Sequence, residues 1–189
     1  MKRLMFSLVV LLFAALMVNA QTPTATAYAP VVVTIEGGLT LDPGSYAFAT
    51  LRQGSTYHVF PNIADGAWQY VDMNNQPDAL MDPDDYTDFV CTAVPGANVL
   101  INFQYLPTKL LSYDGPGAVF VEYPKAWAYV GGLDADAQPK TLPTFEFQLP
   151  AGVDAFSFSP EMIITVPMDV MPGVDYQGLM VVTASFTGF

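Results

Sequence analysis

The sequence predicts an all-β fold, an antiparallel β-sandwich, and three observations carry that expectation. Beyond residue 20, no window keeps apolar residues at helical spacing for three turns. Short runs rich in Val, Ile, Thr, Phe and Tyr recur instead, separated by Gly, Pro, Asp and Asn. The sixteen prolines and fourteen glycines fall mostly between these runs, where they end strands and set turns. With no helix to cross between parallel neighbours, about ten such strands pair antiparallel and bury one face by packing sheet on sheet. A closed barrel is the competing architecture, because a sequence does not show whether the edges pair.

In chain order the predicted strands are residues 31–36, 45–51, 56–60, 68–73, 88–94, 98–105, 118–123, 126–130, 144–149, 162–166 and 179–186. The plainest is 98–105, where alternation puts Val99, Ile101, Phe103 and Tyr105 on one face. Residues 74–88 read as a polar loop with aspartates at 78, 82, 84, 85 and 88. Ala67-Trp68-Gln69-Tyr70 and Ala126-Trp127-Ala128-Tyr129 echo one another, but their surroundings do not repeat, so no duplication is inferred.

Residues 1–20 have the layout of a secretory signal peptide. Lys2 and Arg3 supply the positive start, residues 4–18 are apolar apart from Ser7, and Val18-Asn19-Ala20 suits cleavage before Gln21. The apolar run is shorter than the ~20 residues of a spanning helix, so a retained anchor is the weaker alternative. Residues 21–30 then form an extended, uncharged arm, and residues 31–189 the sandwich domain. The expected location is extracellular, with no membrane insertion of the mature chain.

The full chain carries six basic and eighteen acidic residues, for a net charge of −12. Once residues 1–20 are removed, only Arg52, Lys109, Lys125 and Lys140 remain basic. Such a surface repels phosphate backbones and anionic lipid, which argues against nucleic-acid and membrane-surface partners. Cys91 is the single cysteine, so no intrachain disulfide is available, and its apolar strand setting predicts a buried thiol.

A catalytic set does not emerge. His58 is the one histidine and sits in a predicted strand; no Gly-x-Ser-x-Gly and no Gly-rich phosphate loop occurs. One His and one Cys do not make the usual zinc sites. Carboxylates are plentiful enough for a glycosidase, yet nothing singles out a pair, and the chain is read as a non-enzyme. No cofactor is expected, calcium being the one candidate ion. Asp82, Asp84, Asp85 and Asp88 offer four carboxylates within seven residues, and calcium takes six to eight oxygens. The competing reading is a solvated acidic turn, since the central Gly and final Glu of an EF-hand loop are missing. Trp68 with Tyr70, and Trp127 with Tyr129, form two aromatic strips that either stack on sugars or fill a core.

Ala25-Thr26-Ala27, then Tyr46-Ala47-Phe48-Ala49-Thr50-Leu51 with Gly54, then Pro172-Gly173-Val174-Asp175-Tyr176-Gln177-Gly178 ahead of the alternating strand 179–186, are short stretches in a set order. Together they resemble a group of secreted, pilin-like bacterial domains of unassigned function. Ala49 stands where that group has Gly, one extra residue separates Gly173 from Tyr176, and the aspartate-rich middle is unlike it. The resemblance implies an immunoglobulin-like or pilin-like sandwich that serves as the structural subunit of a pilus-like filament or surface assembly. Its partners would be copies of itself, joined head to tail when the arm adds a strand to a neighbour's sheet through Thr24, Ala25, Thr26, Ala27 and Tyr28. The alternative is a secreted carbohydrate-binding or adhesive module using the aromatic strips.

Overall fold

A computed structural model of the chain describes residues 38–48 and 51–187. The signal segment 1–20, the arm 21–30 with its contact residues Thr24–Tyr28, and the predicted strand 31–36 lie outside those residues. Among the described residues there are sixteen strands and no helix. They are β1 (Thr40–Asp42), β2 (Ser45–Ala47), β3 (Ser55–Asn62), β4 (Ala67–Asp72), β5 (Gln76–Met81), β6 (Asp85–Thr87), β7 (Phe89–Thr92) and β8 (Asn98–Tyr105). The second half holds β9 (Lys109–Leu111), β10 (Ala118–Glu122), β11 (Ala126–Tyr129), β12 (Gln138–Lys140), β13 (Thr144–Gln148), β14 (Ala155–Pro160), β15 (Met162–Val166) and β16 (Val181–Phe186).

Among the described residues all pairings are antiparallel, in four sheets. A five-stranded sheet runs β1-β7-β14-β11-β12 and a three-stranded sheet β13-β8-β16. A six-stranded sheet runs β5-β4-β3-β15-β10-β9, and β2 pairs with β6.

The five- and three-stranded sheets enclose the first core. Alternation decides which residues enter it: Val99, Ile101 and Phe103 of β8 are buried, as are Phe156 and Phe158 of β14. Phe158 is 0% exposed and stacks on Phe89 at 5.2 Å between ring centroids, with Phe103 and Phe145 edge-on at 5.9 and 5.7 Å. Each fully buried Phe contributes about 1.5–3 kcal/mol by leaving water.

The second core lies on one face of the six-stranded sheet. It gathers Tyr57, Val59, Tyr70, Val121 and Ile164 among others, with Tyr46 and Tyr86 of the β2–β6 pair packed against it. β11 serves both cores: Ala126 and Ala128 face the first, while Trp127 and Tyr129 face the second. The five-stranded sheet is therefore the middle layer at this point. β14 runs into β15 with only Glu161 between them, so one continuous stretch crosses from the middle sheet to the six-stranded one.

The short strands β1, β9 and β12 were not expected from the sequence, and three further features differ from it. Residues 74–88 are not one loop but hold β5 and β6. Asp72 makes the β4–β5 turn by accepting bonds from the backbone N–H of Asn74 and Asn75 and from the Asn75 amide. Burial raises its pKa, but those bonds outweigh burial and hold the carboxyl below its usual range. β14 was not expected, and Tyr105 ends β8 at 54% exposure instead of joining the buried face.

Candidate functional site

Two buried polar clusters join the layers, and each is built on a carboxylate that receives a tryptophan N–H. Asp88 sits between β6 and β7, where the chain passes from the two-stranded sheet to the middle one. Its Oδ1 accepts from Trp68 Nε1 at 3.1 Å and from the Ser159 hydroxyl, and its Oδ2 accepts from the Tyr129 hydroxyl. Tyr46 donates to Ser159 at 3.3 Å, and Tyr86 donates to the Pro160 carbonyl at 2.9 Å while stacking on Trp68 at 4.6 Å. Burial pushes the Tyr129 phenol up, and Asp88 raises it further, so Tyr129 stays a donor. Tyr46 and Tyr86 are raised by burial in the same way. An open cleft of about 510 Å³ lies over this cluster, bordered by Gly66, Gly131, Gly132, Trp68, Asp82 and Asp88.

Glu161 occupies the crossover between β14 and β15 and is 5% exposed. His58 Nε2 lies 2.7 Å from Oε1; Trp127 Nε1 donates to Oε2 at 2.9 Å; Lys125 Nζ is 3.4 Å from Oε2. Lys125 also sits over the Trp127 ring at 4.9 Å, a cation–π contact. Burial works to raise the Glu161 pKa, but the bonds from Trp127 and His58 and the charge of Lys125 together hold it below the usual carboxylate value.

Both aromatic strips are thereby turned inward. Trp68, Tyr70 and Tyr129 are buried and Trp127 is half-buried against the second core, which leaves no exposed stacking platform on them. His58 is a strand residue with its side chain 32% exposed. The Ser159 hydroxyl is bonded to Asp88, whereas His58 is bonded to Glu161. Cys91 is fully buried and free, and burial pushes its thiol up to about 12, far from a reactive thiolate.

The four aspartates of the predicted calcium loop have different surroundings. Asp82 accepts from Gln69 at 3.2 Å, Asp85 from Ser45 at 2.7 Å and Thr87 at 3.3 Å, and Asp88 belongs to the cluster above. Asp84 is exposed, and its backbone N–H bonds the Ala47 carbonyl at 3.0 Å. Among the described residues no group of three or more His, Cys, Asp or Glu is placed to hold a metal ion. Chelator is accordingly expected to leave the melting temperature unchanged. A drop that calcium restores, and that Asp84→Asn/Asp85→Asn removes, would show that these residues gather around the ion.

One outer strand, among the described residues, is built unlike the others. Among the described residues the outer strands β1, β2, β6, β9 and β12 are three residues long; β5 carries Pro77 and Asp78, and β13 carries Glu146. Short length, charge and proline are the devices by which edges resist further pairing. β16 has none of them. Its six residues, Val181-Val182-Thr183-Ala184-Ser185-Phe186, contain no charge and no proline, and one register shift at Val181/Val182 is its only irregularity. Val182 is 2% exposed, whereas Ala184 and Phe186 pack on the core only half-buried.

No family model, curated protein or solved structure matches the chain.

Proposed function

We propose that the protein is a non-enzymatic structural subunit of an extracellular pilus-like filament or surface assembly, joined by strand addition from its N-terminal arm. The observation that carries this reading is the composition of β16: among the described residues it is the outer strand of a three-stranded sheet that faces a five-stranded one, and it has neither charge nor proline. An edge of this kind is a template for a strand from another chain. Residues 21–30 suit it, because they carry no charge and, between Pro23 and Pro30, set Thr24, Thr26 and Tyr28 in alternation with alanines. The contact is head to tail and repeats indefinitely when its rotation does not close. The resemblance to pilin-like domains, an immunoglobulin-like or pilin-like sandwich and export after cleavage at residue 20 all belong to this proposal. The inward-facing aromatic strips favour it over sugar recognition by those strips.

Deleting residues 21–30 is expected to leave a folded monomer, with β-rich circular dichroism intact, that no longer forms polymers by electron microscopy or size exclusion. Ser185→Lys, which puts a charge on β16, should do the same. If the truncated protein still polymerises, the arm is not the linker. If the intact mature protein stays monomeric at high concentration and in native secretions, the assembly reading fails.

A further inference from the structure

We infer that the cleft over the Asp88 cluster is a binding site for a small organic cation, a quaternary ammonium group held by charge and aromatic contact. The cleft has a volume of about 510 Å³, within the range of ligand pockets, and its wall combines Trp68, Tyr86 and Tyr129 with the carboxylates of Asp82 and Asp88. Outside residues 1–20 the basic residues are Arg52, Lys109, Lys125 and Lys140, and none of them borders it. Among the described residues the ion pairs are those of Glu161 with His58 and Lys125, so neither aspartate has a cationic side chain within 4.0 Å. Two carboxylates on low-dielectric walls focus a negative potential into the opening, which draws cations in.

The hydrogen bonds decide which kind of cation. An ionised carboxylate has about four lone-pair sites. At Asp88 three are taken, by the Trp68 N–H and by the hydroxyls of Ser159 and Tyr129. These donors are neutral, so they leave the charge without a counterion while nearly filling its capacity for directed bonds. Asp82 Oδ1 already accepts from Gln69 at 3.2 Å. A primary ammonium has three N–H donors to satisfy and calcium takes six to eight oxygens, and such a wall serves both poorly. A quaternary ammonium has no N–H and binds on aromatic rings beside negative charge.

The rings are set before a ligand arrives. Trp68 and Tyr86 stack at 4.6 Å, Tyr86 donates to the Pro160 carbonyl at 2.9 Å, and Tyr129 is tied to Asp88. Little ordering is then needed on binding. Gly132 also borders the cleft; its φ is not positive, and a Cβ there would meet no heavy atom within 4 Å. Packing does not dictate glycine at this point, and the missing side chain keeps the mouth open. The site uses neither β16 nor residues 21–30, so it stands or falls apart from the assembly reading.

Choline is the probe, titrated into the mature protein at constant ionic strength while the indole N–H resonances, assigned with Trp127→Phe, are followed by NMR. The Trp68 resonance should move saturably in the millimolar range, whereas that of Trp127, bonded to Glu161, stays in place. The neutral carbon isostere, dimethylbutanol, has the shape without the charge and should bind at least about tenfold more weakly. Phosphocholine should also bind more weakly than choline, because its phosphate meets an acidic surface. Asp82→Asn is expected to raise the dissociation constant roughly fivefold, and Gly132→Lys, which tethers an ammonium at the mouth, at least about tenfold, both with unchanged urea midpoints. No saturable shift with choline, equal binding of the neutral isostere, or choline binding that neither substitution weakens overturns the site. Phosphocholine binding as tightly as choline overturns the free cation as ligand and points to a lipid headgroup.

Discussion

Asp88→Ala is expected to lower the free energy of unfolding by about 3–5 kcal/mol, measured by urea titration at neutral pH. Three donors end on this one carboxylate, and their residues are almost closed to water: Trp68 is 7% exposed, Tyr129 5% and Ser159 0%. Removing the acceptor strands those donors, and each unsatisfied buried group costs about 1–3 kcal/mol. Water entering through the overlying cleft would offset part of the loss, which keeps the figure below the full sum. For a domain of this size the change corresponds to a drop of roughly 10 °C in melting temperature. Asp88→Asn keeps the shape and one acceptor oxygen, so it should cost clearly less. If Asp88→Ala unfolds at the same urea concentration as the native protein, the cluster is not what ties the six-stranded sheet to the middle one.

The cluster also shows where the sequence stops being informative. Trp68, Tyr129 and Ser159 lie 20 to 71 residues from Asp88 along the chain, and no local pattern marks them as neighbours. Local alternation did reveal β8 and β15, because one face of each is buried and period two is visible over five to eight residues. Three-residue strands such as β1, β9 and β12 have too few positions to show a period. β5 was hidden by Pro77 and Asp78, both of which an edge strand tolerates. β14 is a different case: Phe156 and Phe158 alternate with Ser157 and Ser159, and that signal was present. Both of its faces are occupied, the phenylalanines in the first core and Ser159 in the Asp88 cluster, so its serines do not mark a solvent side. The inward direction of the aromatic strips could be weighed from sequence, but their N–H partners could not, since those come from other strands. The β16 edge is legible as residues and becomes an edge only once β8 is seen to pair on one side of it.

Glu161→Gln should make the protein less stable at pH 7 and change how stability depends on acid. The carboxylate holds the crossover between β14 and β15 through Trp127, His58 and Lys125. Hydrogen bonds to a charged group are worth about 1.5–3 kcal/mol each, but His58 and Lys125 keep some access to water and recover part of theirs. A loss of about 2–4 kcal/mol at pH 7 is therefore expected. The folded-state pKa of Glu161 lies below its ordinary value of 4.5, so its contribution is complete above that value. As the pH falls through the lower folded pKa, the group protonates in both states and the contribution is lost. Native protein and variant should thus differ most at neutral pH and converge as the pH falls through the lowered folded-state pKa, while other carboxylates such as Asp72 shape the acid limb of both alike. Paired urea titrations from pH 7 to pH 3 measure the gap directly. A gap that stays constant over that range would mean that the ionised Glu161 is not what holds the crossover, and that its packing volume alone accounts for the loss.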